Sequence, residues 1–242
     1  MISDLLEPAP TLSNAGGEDA WADALTEIGA QHGFDYTLFA ILPRPGLGFK
    51  DIFLKSNYPK EWRETYDKQG LAAIDPTVKH IFGQSRPLIW HEKTFATDCE
   101  RELYDGAASH GLRSGIIFPI HGPQHETGML GFATSDAPGT GVWQGLSERL
   151  PMLGMLRDAA FESAQSFLVS HVASVVPKVT RREKECLKWM ACGKSIWEMS
   201  KILTCSEATI NFHMTNLRNK FGVTSRAALV YKAARMGLLD MA

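Results

Sequence analysis

The feature that most limits how this chain can fold is a change of texture at Pro177. Before it, runs rich in β-branched and aromatic residues ("FDYTLFAIL", "KDIFLKS", "RPLIW", "SGIIFPIHG", "TGMLGFATS") alternate with helical patterns. Such runs, bounded by Gly, Pro, Asn and Asp, read as strands. After it no strand-like run remains, and four short helical patterns follow, punctuated by Gly, Ser and Thr. The pattern predicts one sheet-bearing domain and one all-helical domain, and 242 residues are enough for both.

Within the first part, residues 19–32 place Trp21, Leu25 and Ile28 at helical spacing before Gly33. A helical pattern runs from Lys60 to Tyr66, and "IDPTVKHIF" opens another helix. Asp75 suits its N-cap, and Pro76 suits the first turn, where its missing N–H has no partner to lose. "DCERELYDGAASHG" reads as a helix stopped by Gly111, and 143–170 as one long helix with Leu146, Leu150, Leu153, Leu156, Ala160 and Ala164 along one side. The order α–β–β–α–α–β–α–β–β–α predicts an α+β domain over residues 1–168, an antiparallel sheet with helices on both faces. "SHVASVVPK" is read as part of a linker spanning 169–178, and residues 179–242 as the all-α domain.

Charge is divided along the same line. Residues 178–242 hold 12 Lys and Arg against 5 Asp and Glu, whereas residues 1–177 hold 13 against 22, so a net −2 conceals a basic end on an acidic body. A basic terminal module points to nucleic acid as partner. No apolar run approaches the ~20 residues of a membrane span. The first residues carry acids where a signal peptide would be basic and then apolar, so a cytoplasmic protein with no membrane partner is expected. Cys99, Cys186, Cys192 and Cys205 form no CxxC pair and have no metal-like spacing, as expected for free thiols in a reducing compartment.

Residues 206–221 carry the sharpest pattern of the basic module. At about 100° per residue, Ile210, Met214, Leu217 and Phe221 fall on one narrow stripe, which must face a core. The other side presents Ala208, Asn211, Thr215 and Asn219, with Arg218 and Lys220 on its shoulders. A helix entering the major groove needs this layout: short hydrogen-bonding side chains toward base edges and cations toward phosphates. Phe212 also falls outward, and both packing on a neighbouring helix and touching DNA stay open for it. The segment "TRREKECLKWMACGKSIWEMSKILTCSEATINFHMTNLRNKFGVTSRAALVYKA" resembles the DNA-binding domain of LuxR-type regulators over about sixty residues without a gap. Thr180, Glu183, Leu187, Gly193, Lys194, Ser195, Thr209, His213 and Lys220 stand in the family's places. The resemblance implies a helix-turn-helix that binds double-stranded DNA. It puts Lys194, Ser195, Ser206, Glu207, Thr209, Asn211, His213, Thr215, Arg218 and Lys220 at the interface.

"SNYPKEWRETYDKQGLAAIDPT", residues 56–77, gathers Tyr58, Trp62, Tyr66 and Asp75 in one stretch. A binding site, an active site and an aromatic core are all compatible with those residues alone. Catalysis finds little support: there is no GxSxG elbow, GxGxxG turn, P-loop or HExxH. His121 and His125 are four apart, but Gly122 and Pro123 forbid the helix that would align them on a metal, and Asp75 with His80 makes only a thin acid–base pair. No enzyme, no metal site and no cofactor are expected.

Residues 20–165 are similar to the acyl-homoserine-lactone-binding domain of quorum-sensing regulators, through "GFDYTLFAILP", "NYPKEWRETYD", "DPTVKH", "PLIW" and "GLRSGIIFPIHG". The resemblance implies that Trp62 gives its indole N–H to the lactone carbonyl and that Asp75 accepts from the ligand's amide N–H. It implies that Tyr58 donates to the amide carbonyl, that Thr77 supports the same group, and that Tyr66 and Trp90 form aromatic walls. Leu38, Ala40, Ile52, Leu54, Val78, Leu112 and Met129 are expected along the acyl tail. Ala133 stands where the family often carries a Ser or Thr facing the ligand amide, and Ile117 falls where a close relative has a hydroxyl, which leaves room for a different small-molecule ligand or none. The family further implies a homodimer on a palindromic promoter element, with RNA polymerase as a partner.

Overall fold

The computed structural model describes residues 10–239. It divides into two compact units: one takes Ser170 onward together with Arg44–Asp51, and the other takes the remaining described residues.

The larger unit is built on one antiparallel sheet of β1 (Tyr36–Leu42), β2 (Phe53–Ser56), β3 (Leu88–Trp90), β4 (Ser114–His121) and β5 (Thr127–Thr134), in the order β2-β1-β5-β4-β3. Because side chains alternate along a strand, each strand feeds two cores. Phe39, Ile41, Phe53, Ile116, Phe118, Ile120, Leu130 and Phe132 face one of them. Covering it are α1 (Pro10–Ser13), α2 (Glu18–Gln31), α6 (Leu146–Ser163) and α7 (Gln165–Val175), through Leu12, Trp21, Leu25, Leu153, Leu156, Ala160 and Leu168. Trp21 also donates its indole N–H to Ser163 at 2.9 Å.

Leu38, Ala40, Ile117, Met129 and Ala133 face the other core, beneath α3 (Lys60–Gln69), α4 (Pro76–Gly83) and α5 (Asp98–Ser109). With both faces buried, the strands read as nearly continuous apolar runs. The expected antiparallel sheet with helices on both faces is the observed architecture.

The expected single helix over 143–170 is replaced by two, α6 and α7, which meet at Ala164. The Ser163 hydroxyl bonds back to the carbonyls of Ala159 (2.7 Å) and Ala160 (3.2 Å), a pattern that bends helices. Residues 169–175, read as linker, are therefore the end of a helix.

The smaller unit holds α8 (Arg181–Ala191), α9 (Ile196–Ile202), α10 (Glu207–Phe221) and α11 (Arg226–Arg235). Each begins at a Ser or Thr N-cap. Thr180, Ser195, Ser206 and Ser225 accept N–H bonds from Glu183, Glu198, Thr209 and Ala228 respectively. Glu183 and Glu198 bond back to close capping boxes. At the far end of α10, Gly222 takes the left-handed conformation (φ 61°) that lets its N–H close the helix on Arg218 and Asn219. Among the described residues no helix is long and apolar enough to cross a membrane.

Candidate functional site

Two candidate sites form, one in each unit. The first is the core under α3–α5, and the segment 56–77 supplies its polar part. Trp62 and Tyr66 lie one turn apart on α3 with ring centroids 6.1 Å apart, both turned toward the sheet. Asp75 caps α4 as expected, with Pro76 in the first turn. Asp75 is 9% exposed and both its carboxylate oxygens are engaged: one accepts from the Tyr66 hydroxyl at 2.8 Å, the other from the Thr77 N–H at 2.8 Å and the Thr77 hydroxyl at 2.7 Å. Burial pushes the Asp75 carboxyl upward, and the bonds from Thr77 and Tyr66 only partly pull it back. Burial followed by the Asp75 charge raises the Tyr66 phenol well above its ordinary value, and the same two causes raise that of Tyr58. Both phenols are therefore held as donors.

The structure revises two expected roles here. Tyr66 is more than an aromatic wall, because its hydroxyl holds Asp75. Thr77 donates its hydroxyl to the same carboxylate. His80 turns away to the Arg86 carbonyl, 2.8 Å from its Nε2, so it makes no acid–base pair with Asp75. Among the described residues the Tyr58 hydroxyl and the Trp62 indole N–H donate to no protein acceptor.

Strand register builds the floor. Trp90, Gly115, Ala133 and Tyr36 lie side by side across four strands, and Leu88, Ile117, Gly131, Leu38 and Ser56 form the next row. Leu54, Ala40 and Met129 follow in a third. Val78 and Leu112 are buried in the same cluster, and Ile52, Leu54 and Tyr58 pack at its margin. The structure thus brings together every residue expected at this site. Sequence reasoning missed Tyr36, whose ring meets Tyr58 at 6.0 Å, and His110, whose ring lies 5.7 Å from that of Trp62. It also missed Gly106, where a Cβ would come within 2.7 Å of the Trp62 ring. Register and helix docking put them there, and no local pattern reports either.

Gly115 is the tightest point of the floor. A Cβ there would sit 2.5 Å from the Phe132 carbonyl oxygen and 2.5 Å from the Trp90 ring. Gly115→Ala is expected to lower stability by about 1–3 kcal/mol, read from thermal melting. An unchanged melt would mean that the sheet yields there without strain.

The second site is α10. Ile210, Met214, Leu217 and Phe221 are buried, as the spacing predicts, while Ala208, Asn211, Thr215 and Asn219 are exposed. Ser206 caps the helix, with its hydroxyl 2.8 Å from that of Thr209, Glu207 is exposed and His213 is half-buried. Arg218 reaches back to the Thr215 hydroxyl at 3.5 Å. Lys194 and Ser195 both bond Glu198, at 3.1 and 2.9 Å. Lys220 corrects the expectation most. Instead of standing free on a shoulder, its ammonium bonds the buried Glu183 carboxylate at 2.7 Å and the Lys178 carbonyl at 3.0 Å. Burial alone would raise the Glu183 carboxyl, but Lys220 and the Thr180 N–H outweigh it and hold it below the usual range. Among the described residues no cluster of His, Cys, Asp or Glu could hold a metal ion.

Each of the two parts matches a known domain family. Residues 17–164 match the autoinducer binding domain family, and residues 177–233 match the bacterial regulatory proteins of the luxR family. The chain is 34% identical over 221 residues to the transcriptional activator protein LuxR of Aliivibrio fischeri, covering 89% of this chain and 86% of that one. It is 32% identical over 208 residues to the transcriptional activator protein VanR of Vibrio anguillarum, covering 86% of each. Its fold matches the solved structure of SdiA in complex with octanoyl-rac-glycerol with a TM-score of 0.73 at 23% identity, over 99% of this chain and 96% of that one. With the first domain family spanning more than half of its length and the second covering its helix-turn-helix, the chain belongs to the LuxR family of transcription regulators, an autoinducer-binding domain followed by a DNA-binding one.

Proposed function

We propose that this protein is a cytoplasmic quorum-sensing activator whose ligand is an N-acyl-homoserine lactone held under α3–α5, and that no other cofactor is involved. One observation carries the reading: a buried, ionisable acceptor, Asp75, stands beside one aromatic cluster with two donors, Tyr58 and Trp62, that spend nothing on the protein. An amide carbonyl for Tyr58 and a lactone carbonyl for Trp62 satisfy the two donors, whose unsatisfied burial would cost on the order of 1–3 kcal/mol each, and an amide N–H adds one more bond to Asp75. The apolar floor formed by Leu38, Ala40, Gly131 and Met129 suits an acyl tail.

Residues 1–168 form the lactone-binding domain in this reading, 169–178 join the two parts, and 179–242 bind DNA. Bound ligand stabilises the fold by RT ln(1 + [L]/Kd), about 2.7 kcal/mol at a hundredfold excess. Stabilised protomers dimerise and place two α10 helices on half-sites of a palindromic promoter element, about one helical turn apart, where RNA polymerase is engaged. Asn211 and Thr215 address base edges and Arg218 a phosphate, while Lys194, Ser195, Ser206, Glu207, Thr209 and His213 frame the contact.

The test is melting of the full chain against lactones of graded acyl length, with mass spectrometry of the recovered ligand. A chain-length-dependent rise in melting temperature is expected, and the lactone should return intact. A hydrolysed lactone would mean an enzyme. The same melt for every lactone, or recovery of another small molecule, would favour a receptor of different specificity. Ala133 keeps that second reading alive, since it contributes no hydroxyl to the floor.

A further inference from the structure

The exposed face of α10 has an apolar centre. At about 100° per residue, the direction opposite the buried stripe falls at Phe212 and Asn219, while Asn211 lies toward one shoulder. Phe212 is 62% exposed, on a helix whose other large apolar side chains, Ile210, Met214, Leu217 and Phe221, are all buried. Its ring partner among the described residues is His213, at 5.6 Å. Within about 60° of it on the same face stand the methyl of Ala208, one turn earlier, and the methyl of Thr215, one turn later, both on exposed residues.

A phenyl ring donates no hydrogen bond and cannot neutralise a phosphate. Of the groups that line a major groove, the C5-methyl of thymine is the one that matches it. We propose that Phe212 reads a thymine methyl in each operator half-site, closing on it together with Ala208 and Thr215, while Asn211 takes the hydrogen-bonding edge of a neighbouring base. This rests on the reading of α10 as the helix that enters the groove. It adds a base contact of a different kind, apolar and specific for one methyl group.

Replacing single thymines by deoxyuridine removes that methyl and nothing else. The full chain, expressed with a mixture of short- and long-chain acyl-homoserine lactones, is first used to select a duplex from a random pool. Each thymine is then replaced in turn. At one thymine per half-site, the wild type is expected to lose about three- to tenfold in affinity, the effect of one buried methyl group. Phe212→Ala should bind the thymine and deoxyuridine forms alike. Phe212→Leu, which keeps an apolar tip, should retain part of the discrimination, and all three proteins should hold random duplex equally. The proposal is overturned if no thymine methyl matters, if the sensitivity survives in Phe212→Ala, or if that variant loses random and selected DNA to the same extent. A wild type that selects no sequence at all would overturn the groove reading of α10 itself, and this proposal with it.

Discussion

Asp75→Ala is expected to raise the lactone concentration needed for half-maximal DNA binding by roughly 100-fold, about 3 kcal/mol of binding free energy. The carboxylate is buried and already accepts from the Tyr66 hydroxyl, the Thr77 N–H and the Thr77 hydroxyl. In the proposed complex a ligand amide adds a charge-assisted bond to a group that lies in low dielectric, where such bonds are strong. Truncation removes that bond, frees the Tyr66 phenol to turn, and deletes the N-cap of α4. Asp75→Asn is expected to do nearly as badly, because its NH2 must face a donor.

The pH dependence has a definite direction. Burial raises the Asp75 carboxyl above its ordinary value, so in the empty site its ionised form costs stability, and that cost is relieved as the pH falls through the raised value. Ligand N–H donation favours the ionised form. Lactone affinity should therefore be full above the raised value and fall as the carboxyl takes up a proton. Titration of the full chain by ligand-induced fluorescence or melting gives both results, and an unchanged dose response in Asp75→Ala would remove this residue from the site.

Lys220→Ala is the second large effect, about 2–3 kcal/mol off the stability of the helical unit. The Glu183 side chain is 4% exposed and takes the Lys220 ammonium at 2.7 Å, so the variant strands a carboxylate with no cation in a mostly dry position. The loss is moderated because the Lys220 side chain is 35% exposed. Since the Glu183 carboxyl is held below its ordinary value, its contribution is complete above the unfolded-state value and disappears as the pH falls through the folded one. Glu183→Gln should flatten that acid limb.

The salt dependence of DNA binding separates this role from a phosphate contact. A residue that neutralises a phosphate lowers the slope of log K against log salt by about 1 when removed. Arg218→Ala should show that change and Lys220→Ala should not. A reduced slope in Lys220→Ala with an unchanged melt would return Lys220 to the DNA surface.

Much of the molecule was legible because its signals are local. Asp75 and Pro76 announce the start of α4, Ser and Thr punctuate the helices of the basic unit, and the stripe Ile210, Met214, Leu217, Phe221 names the buried side of α10. Each depends on residues within a turn or two, and local backbone physics carries such patterns faithfully. The break at Ala164 was not legible, because it reflects a serine hydroxyl bonding back into its own helix while accepting from Trp21, 142 residues away.

The candidate sites divide in the same way. By itself the sequence determined that a sheet-bearing domain precedes a basic four-helix one, that Tyr58, Trp62, Tyr66 and Asp75 fall in one short stretch, and which face of α10 is turned outward. Tertiary structure decided how those groups spend their hydrogen bonds. Tyr66 and Thr77 hold Asp75, and the Lys220 ammonium pairs with Glu183, 37 residues earlier in the chain. Trp62 lies against Gly106 and His110, and Ala133 stands in one row with Gly115 and Trp90. The physical reason is that periodicity and capping fix only a side chain's direction from its own backbone. Its partner is whatever packing and register bring opposite, and a buried polar group takes the nearest donor or acceptor it then finds.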